Sequence, residues 1–239
     1  MCFYVCPYIC ILYTLLMQEN MRNKFFIILL SSFIGCLLAN FNEFPKIVIL
    51  GSANVHGEIE PCGWKKKPLG GLARKATIID QIKQEGVNPI IVDAGNLFFK
   101  NTQRTIGLNN EIGKINAETI VNSFNILGCD AFSVGANDLS DGLNYLLKLK
   151  NDSKFPFISA NIVDKSNRII FDPYVIVERD VKIGFIGLAS AFSHSEVSVL
   201  DPLDALSNIE EAPINATFIF FDSISFITYG LKIRLLFKS

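Results

Sequence analysis

Net charge is the first thing this sequence lacks: 22 Lys and Arg stand against 23 Asp and Glu, a formal net charge of −1, with a pI near 6.1. Neutralising a run of phosphates needs a basic face, so nucleic acid is excluded as the main partner. The one local basic cluster, Lys65, Lys66 and Lys67, reads first as a solvated loop and only second as a phosphate clamp. Cysteine pairs are missing as well. Of 6 cysteines, Cys2, Cys6, Cys10 and Cys36 precede residue 40, which leaves Cys62 and Cys129 in the body. Two lone cysteines make neither a disulfide framework nor a zinc site, since both need paired short spacings. Cys129, between Gly128 and a strand, reads as a small buried apolar residue. Histidine is scarcer still, with 2 in 239 residues. Long apolar runs are absent too: Gln18, Glu19, Asn20, Arg22 and Lys24 interrupt residues 1–38, and Asp222, Lys232 and Arg234 interrupt the tail, short of the roughly 20 residues a membrane helix needs.

What is present is half hydrophobic, with a mean hydropathy of +0.35. The excess sits in residues 1–40 and 210–239, and the middle is ordinary globular sequence. Met21-Arg22-Asn23-Lys24, the apolar residues 25–34 and then Gly35-Cys36 supply the cationic region, apolar core and small residue of a secretory signal. Cys36 directly after Gly35 resembles a bacterial lipoprotein signal, in which Cys36 is lipidated and tethers the protein to a membrane of the cell envelope. On this reading Met21 is the true start, 1–39 is a doubtful leader plus signal, and 40–212 is one folded domain, which the length allows. Residues 213–239 form an atypical tail: 214–221 reads as one more strand, and the rest as a truncated or out-of-frame end.

From Pro45 onward, short apolar runs alternate with amphipathic stretches, the pattern of α/β layering. The runs 46–51, 89–92, 131–134, 157–160, 174–178 and 182–187 read as strands, and 71–85, 116–127 and 143–150 as helices, two of them closed by Gly86 and Gly128. Strand, loop, helix and strand in repeated order imply a largely parallel sheet whose carboxyl ends share one edge. Three polar loops fall at that edge: Asn54-Val55-His56-Gly57, Asp93-Ala94-Gly95-Asn96 and Gly135-Ala136-Asn137-Asp138. They are expected to converge.

Strand-end loops that bring oxygen and nitrogen side chains to one point are how dinuclear metal hydrolases hold two ions close together. Two such cations repel, and a bridging carboxylate offsets that charge as a neutral amide cannot. Here the well-placed residues are Asn54, Asn96 and Asn137, and only His56 is a strong ligand type. Without carboxylate partners, His56 reads as a hydrogen-bonded loop histidine before it reads as a metal ligand.

The segments NVHGEIEP, GGLARKA, DAGN, GCDAFSVGANDLSDG, FPFISANI and KIGFIGLAS occur in this order over residues 46–190, about three-fifths of the chain. Together they resemble the metallophosphoesterase domain of the periplasmic 5'-nucleotidase family, within the calcineurin-like phosphoesterase superfamily. That family carries Asn-Asp-x-His-Gly, Gly-Gly-x-Ala-Arg, Asp-Ala-Gly-Asp, Gly-Asn-His-Glu, Phe-Pro-x-x-x-Ala-Asn and Lys-Ile-Gly-x-x-Gly. The resemblance implies an αββα sandwich, truncated on its C-terminal side, that hydrolyses nucleotides or related phosphoesters with divalent zinc, manganese or magnesium. The departures fall on the chemistry. Asn54 stands where the family has an Asp ligand and Asn96 where it has the bridging Asp. Ala136 and Asn137 stand at its Asn ligand and catalytic His, with Asp138 at the Glu. His56 is kept. His194 comes too soon after the last matched strand to replace the family's later histidines.

Glu60-Pro61-Cys62-Gly63-Trp64 is the other unusual element. A subgroup of nucleotidase-like envelope proteins has Cys-Gly-Cys or a selenocysteine here, so Trp64 is either a surface aromatic or a UGA codon rendered as tryptophan. In the second case Cys62 and position 64 form a redox pair. The expectation is therefore an envelope phosphoesterase domain whose metal site is lost or much altered, with weak or no activity. Its rivals are an unconventional active hydrolase, a thiol protein using Cys62, and a non-catalytic module that binds a nucleotide or phosphoester.

Overall fold

The computed structural model of the chain describes residues 47–61, 70–179, 181–209, 217–222 and 225–228, the last two segments as backbone only. All belong to the unit Pro45–Ser239.

Four strands, β1 (Ile49–Ser52), β2 (Ile90–Asp93), β3 (Ala131–Ser133) and β4 (Phe157–Ile158), form a parallel sheet in chain order. Side chains alternate across each strand. Ile49, Ile90 and Val92 accordingly enter one core with Val177, Ile183 and Phe185 of the second sheet. Leu50 and Ile91 point the other way, against Ile79 and Leu127 of the helices. The helices α1 (Leu72–Gln84), α2 (Leu108–Leu127) and α3 (Leu143–Asp152) make the crossovers of the parallel sheet. Helix α2 begins eight residues before the expected 116. Leu108, Ile112 and Ile115 lie on its solvent side, 76, 46 and 62% exposed, so this first stretch carries no buried apolar stripe to betray it.

The second sheet runs β10-β9-β7-β6, with β6 (Tyr174–Glu178), β7 (Lys182–Leu188), β9 (Thr217–Asp222) and β10 (Ser225–Thr228). Here the expected parallel order fails for β6 and β7. Their connection is far too short for a crossover, so they pair antiparallel, Tyr174 opposite Ile186. The strand expected at 214–221 is β9, which pairs parallel to β7 with Ile183 opposite Thr217. A separate pair, β5 (Ile162–Asp164) and β8 (Val197–Val199), is antiparallel. The short helix α4 (Pro202–Ser207) adds Ala205 to a cluster with Ile186 and Leu188. The layers are thus helix, sheet, sheet, helix, as expected.

At the carboxyl edge of the first sheet, Phe98, Phe132 and Phe157 form a ring cluster, with centroids 5.2, 5.9 and 4.7 Å apart. All three are buried. Such pairs add roughly 0.5–1.5 kcal/mol each beyond area burial, and the cluster packs with Ile120, Phe124 and Leu146 of the helices. Asn161, fully buried, donates to the Ala189 and Leu200 carbonyls and accepts from Ala189 N–H at 2.8 Å, joining the Ala-Asn motif to the end of β7.

Candidate functional site

The loop after β1 lies along the loop after β2 through three backbone bonds of 2.9 Å: Asn54 N–H to Gly95 O, His56 N–H to Asn96 O, and Gly57 N–H to Leu97 O. This crossing requires left-handed backbone at three residues that are not glycine, Asn54 (φ 55°), His56 (φ 57°) and Asn96 (φ 54°). Asn and His tolerate that region better than most residues, and such conformations persist where surrounding structure holds them. The third loop is drawn in just as tightly. A Cβ on Gly135 would come within 2.5 Å of Asn96 Oδ1, so only glycine allows this approach.

The expected convergence is therefore met: Asn54 and Asn96, and Asn137 and His56, meet side chain to side chain, and the Asn137 backbone joins the two pairs. Asn96 Nδ2 donates to Asn54 Oδ1 at 2.9 Å. Its Oδ1 accepts the Asn137 backbone N–H at 3.0 Å. Asn137 Nδ2 donates to the Lys100 carbonyl at 3.0 Å and lies 3.3 Å from His56 Nδ1. Without a proton, His56 Nδ1 accepts from Asn137; with one, it donates to Phe99 O at 3.4 Å. The neutral amides thus form a hydrogen-bonded chain, and no carboxylate side chain enters it.

Two carboxylates stand directly beneath. Asp138 is 1% exposed and receives four backbone N–H groups. Asn96 and Gly135 donate to Oδ2 at 2.9 and 2.8 Å, Leu97 and Phe98 to Oδ1 at 2.7 and 3.0 Å. Burial pushes this carboxyl up, to about 7, against the pull of those donors. Asp138 is thereby the clasp between the second and third loops, a role its place in the motif did not reveal. A short polar residue in a Gly-x-x-Asp turn, able to accept from its own backbone, was the available signal. Asp93 is also fully buried. It accepts from Ser52 Oγ at 2.5 Å and Gly95 N–H at 3.0 Å, while Lys75 Nζ donates to Ser52 Oγ at 2.7 Å and sits 4.0 Å from the Phe124 ring centre. Burial raises Asp93 and lowers Lys75, and their mutual attraction opposes both.

The other candidates are not part of this cluster. His194 lies between β7 and β8, where Nδ1 accepts from Glu196 N–H at 3.2 Å; among the described residues no hydrogen bond joins it to the three loops. Cys129 is buried, and burial pushes its thiol up to about 12, in keeping with a small apolar residue and not a nucleophile. Cys36, Cys62, Trp64 and the Lys65, Lys66, Lys67 cluster lie outside the described residues. Among the described residues, no helix is long and apolar enough to cross a membrane.

No family model matches the chain. Among known proteins it is 34% identical over 153 residues to protein UshA of Salmonella pullorum, covering 61% of this chain and 26% of that one. It is 29% identical over 171 residues to a 2',3'-cyclic-nucleotide 2'-phosphodiesterase/3'-nucleotidase of Yersinia enterocolitica, covering 64% and 25%. These relatives, nucleotidases and cyclic-nucleotide phosphodiesterases, support the 5'-nucleotidase metallophosphoesterase superfamily for this chain. It spans about a quarter of the length of these relatives. Solved structures agree on the fold. The 5'-nucleotidase precursor of Thermus thermophilus superposes with a TM-score of 0.59 at 21% identity, over 74% of this chain and 36% of that one. The calcineurin-like phosphoesterase YfkN of Bacillus subtilis gives 0.57 at 22% identity, over 74% and 61%.

Proposed function

We propose that the chain is the amino-terminal part of a 5'-nucleotidase-like phosphoesterase of the cell envelope that has lost its dinuclear metal centre. It then hydrolyses nucleotides and related phosphoesters weakly or not at all. The observation that carries this reading is the hydrogen-bonded chain of neutral amides from Asn54 through Asn96 and Asn137 to His56.

The residues present do not fit two divalent cations. Such a pair needs anionic oxygen between the ions. Asn54 Oδ1 and Asn96 Oδ1 are neutral and already accept N–H groups. The nearby carboxylates are committed elsewhere, Asp138 to the loop backbone and Asp93 to Ser52 and Gly95. Among the described residues no three His, Cys, Asp or Glu side chains cluster as a metal cage would require. The family's divalent zinc, manganese or magnesium accordingly carries no step in this account.

A domain that begins at 40 and takes in β9 and β10 beyond the expected limit of 212, secretion from a start at Met21 and lipidation at Cys36 complete the proposal. They rest on the signal-like residues 21–36. Radiolabelled palmitate incorporation that persists in Cys36→Ala would contradict the anchor. Hydrolysis is tested with nucleotides and p-nitrophenyl phosphate under added Mn²⁺ or Zn²⁺: turnover at the level of the active relatives would overturn the reading.

A further inference from the structure

Helix α2 is buried along one side and bare along the other. Asn110, Ala117, Ile120, Val121, Phe124 and Leu127 face the core, whereas Leu108, Ile112, Ile115, Thr119, Asn122 and Ile126 are all exposed. Ile126 is 85% exposed, and Ile106, at 86%, extends the row ahead of the helix. Surface apolar residues scattered singly need no partner, but a row of them marks a contact surface.

The spacing of the bare side decides what it fits. Steps of four, three, four, three and four residues lead from Leu108 to Ile126, the a and d positions of a heptad repeat sustained over about 27 Å of helix. This is a narrow seam, not the wide apolar arc with which a helix lies on lipid. Glu111 and Glu118 flank it on one side and Asn109, Asn116 and Ser123 on the other, so an anionic membrane meets no basic rim there. A second helix is the occupant that such a seam accepts.

The flanks also fit a second copy of the same helix, in one orientation. In a parallel pair, Glu111 meets Asn116 and Glu118 meets Ser123 of the other copy, and no like charges face each other. An antiparallel pair would bring the two glutamate flanks together, which costs affinity. Parallel alignment in register sets Asn122 against Asn122, where two amides hydrogen-bond and fix the register, and sets Ile112, Ile115 and Ile126 each against itself.

We propose that the chain forms a parallel two-fold dimer with a second copy of itself through the outer face of α2. Leu108, Ile112, Ile115 and Ile126 are its apolar contacts, and Asn122 sets its register. These side chains expose several hundred Å², below the roughly 800 Å² that each partner of a stable complex buries, so association is weak, on the order of micromolar.

Sedimentation equilibrium of the full chain across the micromolar range, in a density-matched mild detergent, tests this. The expected result is a reversible monomer–dimer equilibrium. Ile115→Lys sets two ammonium groups against each other in the seam and should weaken the dimer at least about thirtyfold. Its circular dichroism should match the parent, because the side chain is 62% exposed in the single chain. Ile169→Lys, at a side chain 58% exposed opposite Val163 of β5, should leave association unchanged. Photo-crosslinking from Leu108→p-benzoylphenylalanine should attach to residues 105–112 of the second copy. A chain monomeric throughout, a dimer indifferent to Ile115→Lys, attachment near Ile126 in place of 105–112, or binding of this face to phosphatidylglycerol vesicles with no dimer formed would each overturn the proposal.

Discussion

Replacing Asp138 by Asn tests whether one buried carboxyl holds the site together. The change keeps the size of the side chain but turns one acceptor oxygen into an NH₂ group. If Oδ1 keeps Leu97 and Phe98, the new NH₂ faces the Asn96 and Gly135 N–H groups, which Oδ2 now accepts at 2.9 and 2.8 Å. A buried donor left without an acceptor costs about 1–3 kcal/mol. Two such losses, partly relieved by loop movement, predict a destabilisation of about 2–4 kcal/mol, a large fraction of the roughly 5–15 kcal/mol of a typical domain. With a urea m-value of about 2 kcal/mol/M, the unfolding midpoint should fall by about 1–2 M. Equilibrium urea unfolding at pH 8, where the Asp138 carboxyl pushed up to about 7 is ionised and both oxygens accept, reads this directly by far-UV circular dichroism. The side chain is 1% exposed, so water cannot easily substitute. A midpoint within about 0.2 M of the parent, below a 0.5 kcal/mol change, would refute the claim that Asp138 clasps the loops.

Three further outcomes follow from the same contacts. The Asp138 carboxyl is pushed up to about 7 in the folded chain, above its ordinary value near 3.9, so the fold binds its proton more tightly than the unfolded chain does. Its contribution to stability is complete below about pH 4 and lost as the pH rises through about 7; the stability gap between parent and Asp138→Asn should narrow over that window, and a gap that widens would contradict this. Asn96→Asp sets two acceptor oxygens against each other where Asn96 Nδ2 now donates to Asn54 Oδ1. Differential scanning calorimetry without metal should show a loss of about 1–3 kcal/mol that Mn²⁺ partly restores, and an unchanged melting temperature would count against the amide chain. Lys75→Met removes the cation above Ser52 and Asp93, for an expected cost of about 3 kcal/mol, the low end for breaking a buried pair; the double variant with Asp93→Asn should recover part of it in urea titration.

Much of the fold could be read in the residues because two periodicities settle it. Alternation in Ile49-Leu50 and Ile90-Ile91-Val92 separates the sheet–sheet core from the sheet–helix core, and the motif order from NVHGEIEP to KIGFIGLAS places three loops at one edge. Other elements gave no such signal. The start of α2 has its apolar residues on the solvent side, and the short strand β8 and helix α4 depend on partners distant in sequence, such as Ile162 opposite Val199. In the site, the amides of Asn54, Asn96 and Asn137 are visible as residue types, but the contacts they make are not. Which amide donates to which, and the left-handed backbone at Asn54, His56 and Asn96, follow from loops tens of residues apart meeting in space. The roles of Asp138 and of the Ser52, Asp93 and Lys75 group are not legible in the sequence, because a clasp beneath a site has no motif of its own.

Metal content measures the central claim most directly. The purified chain is loaded with excess Mn²⁺ or Zn²⁺, desalted, and analysed by inductively coupled plasma mass spectrometry, with nucleotide hydrolysis assayed on the same sample. A site filled by neutral amides predicts no retained pair of ions and hydrolysis near background. Two equivalents of metal per chain together with metal-dependent nucleotide turnover would contradict it.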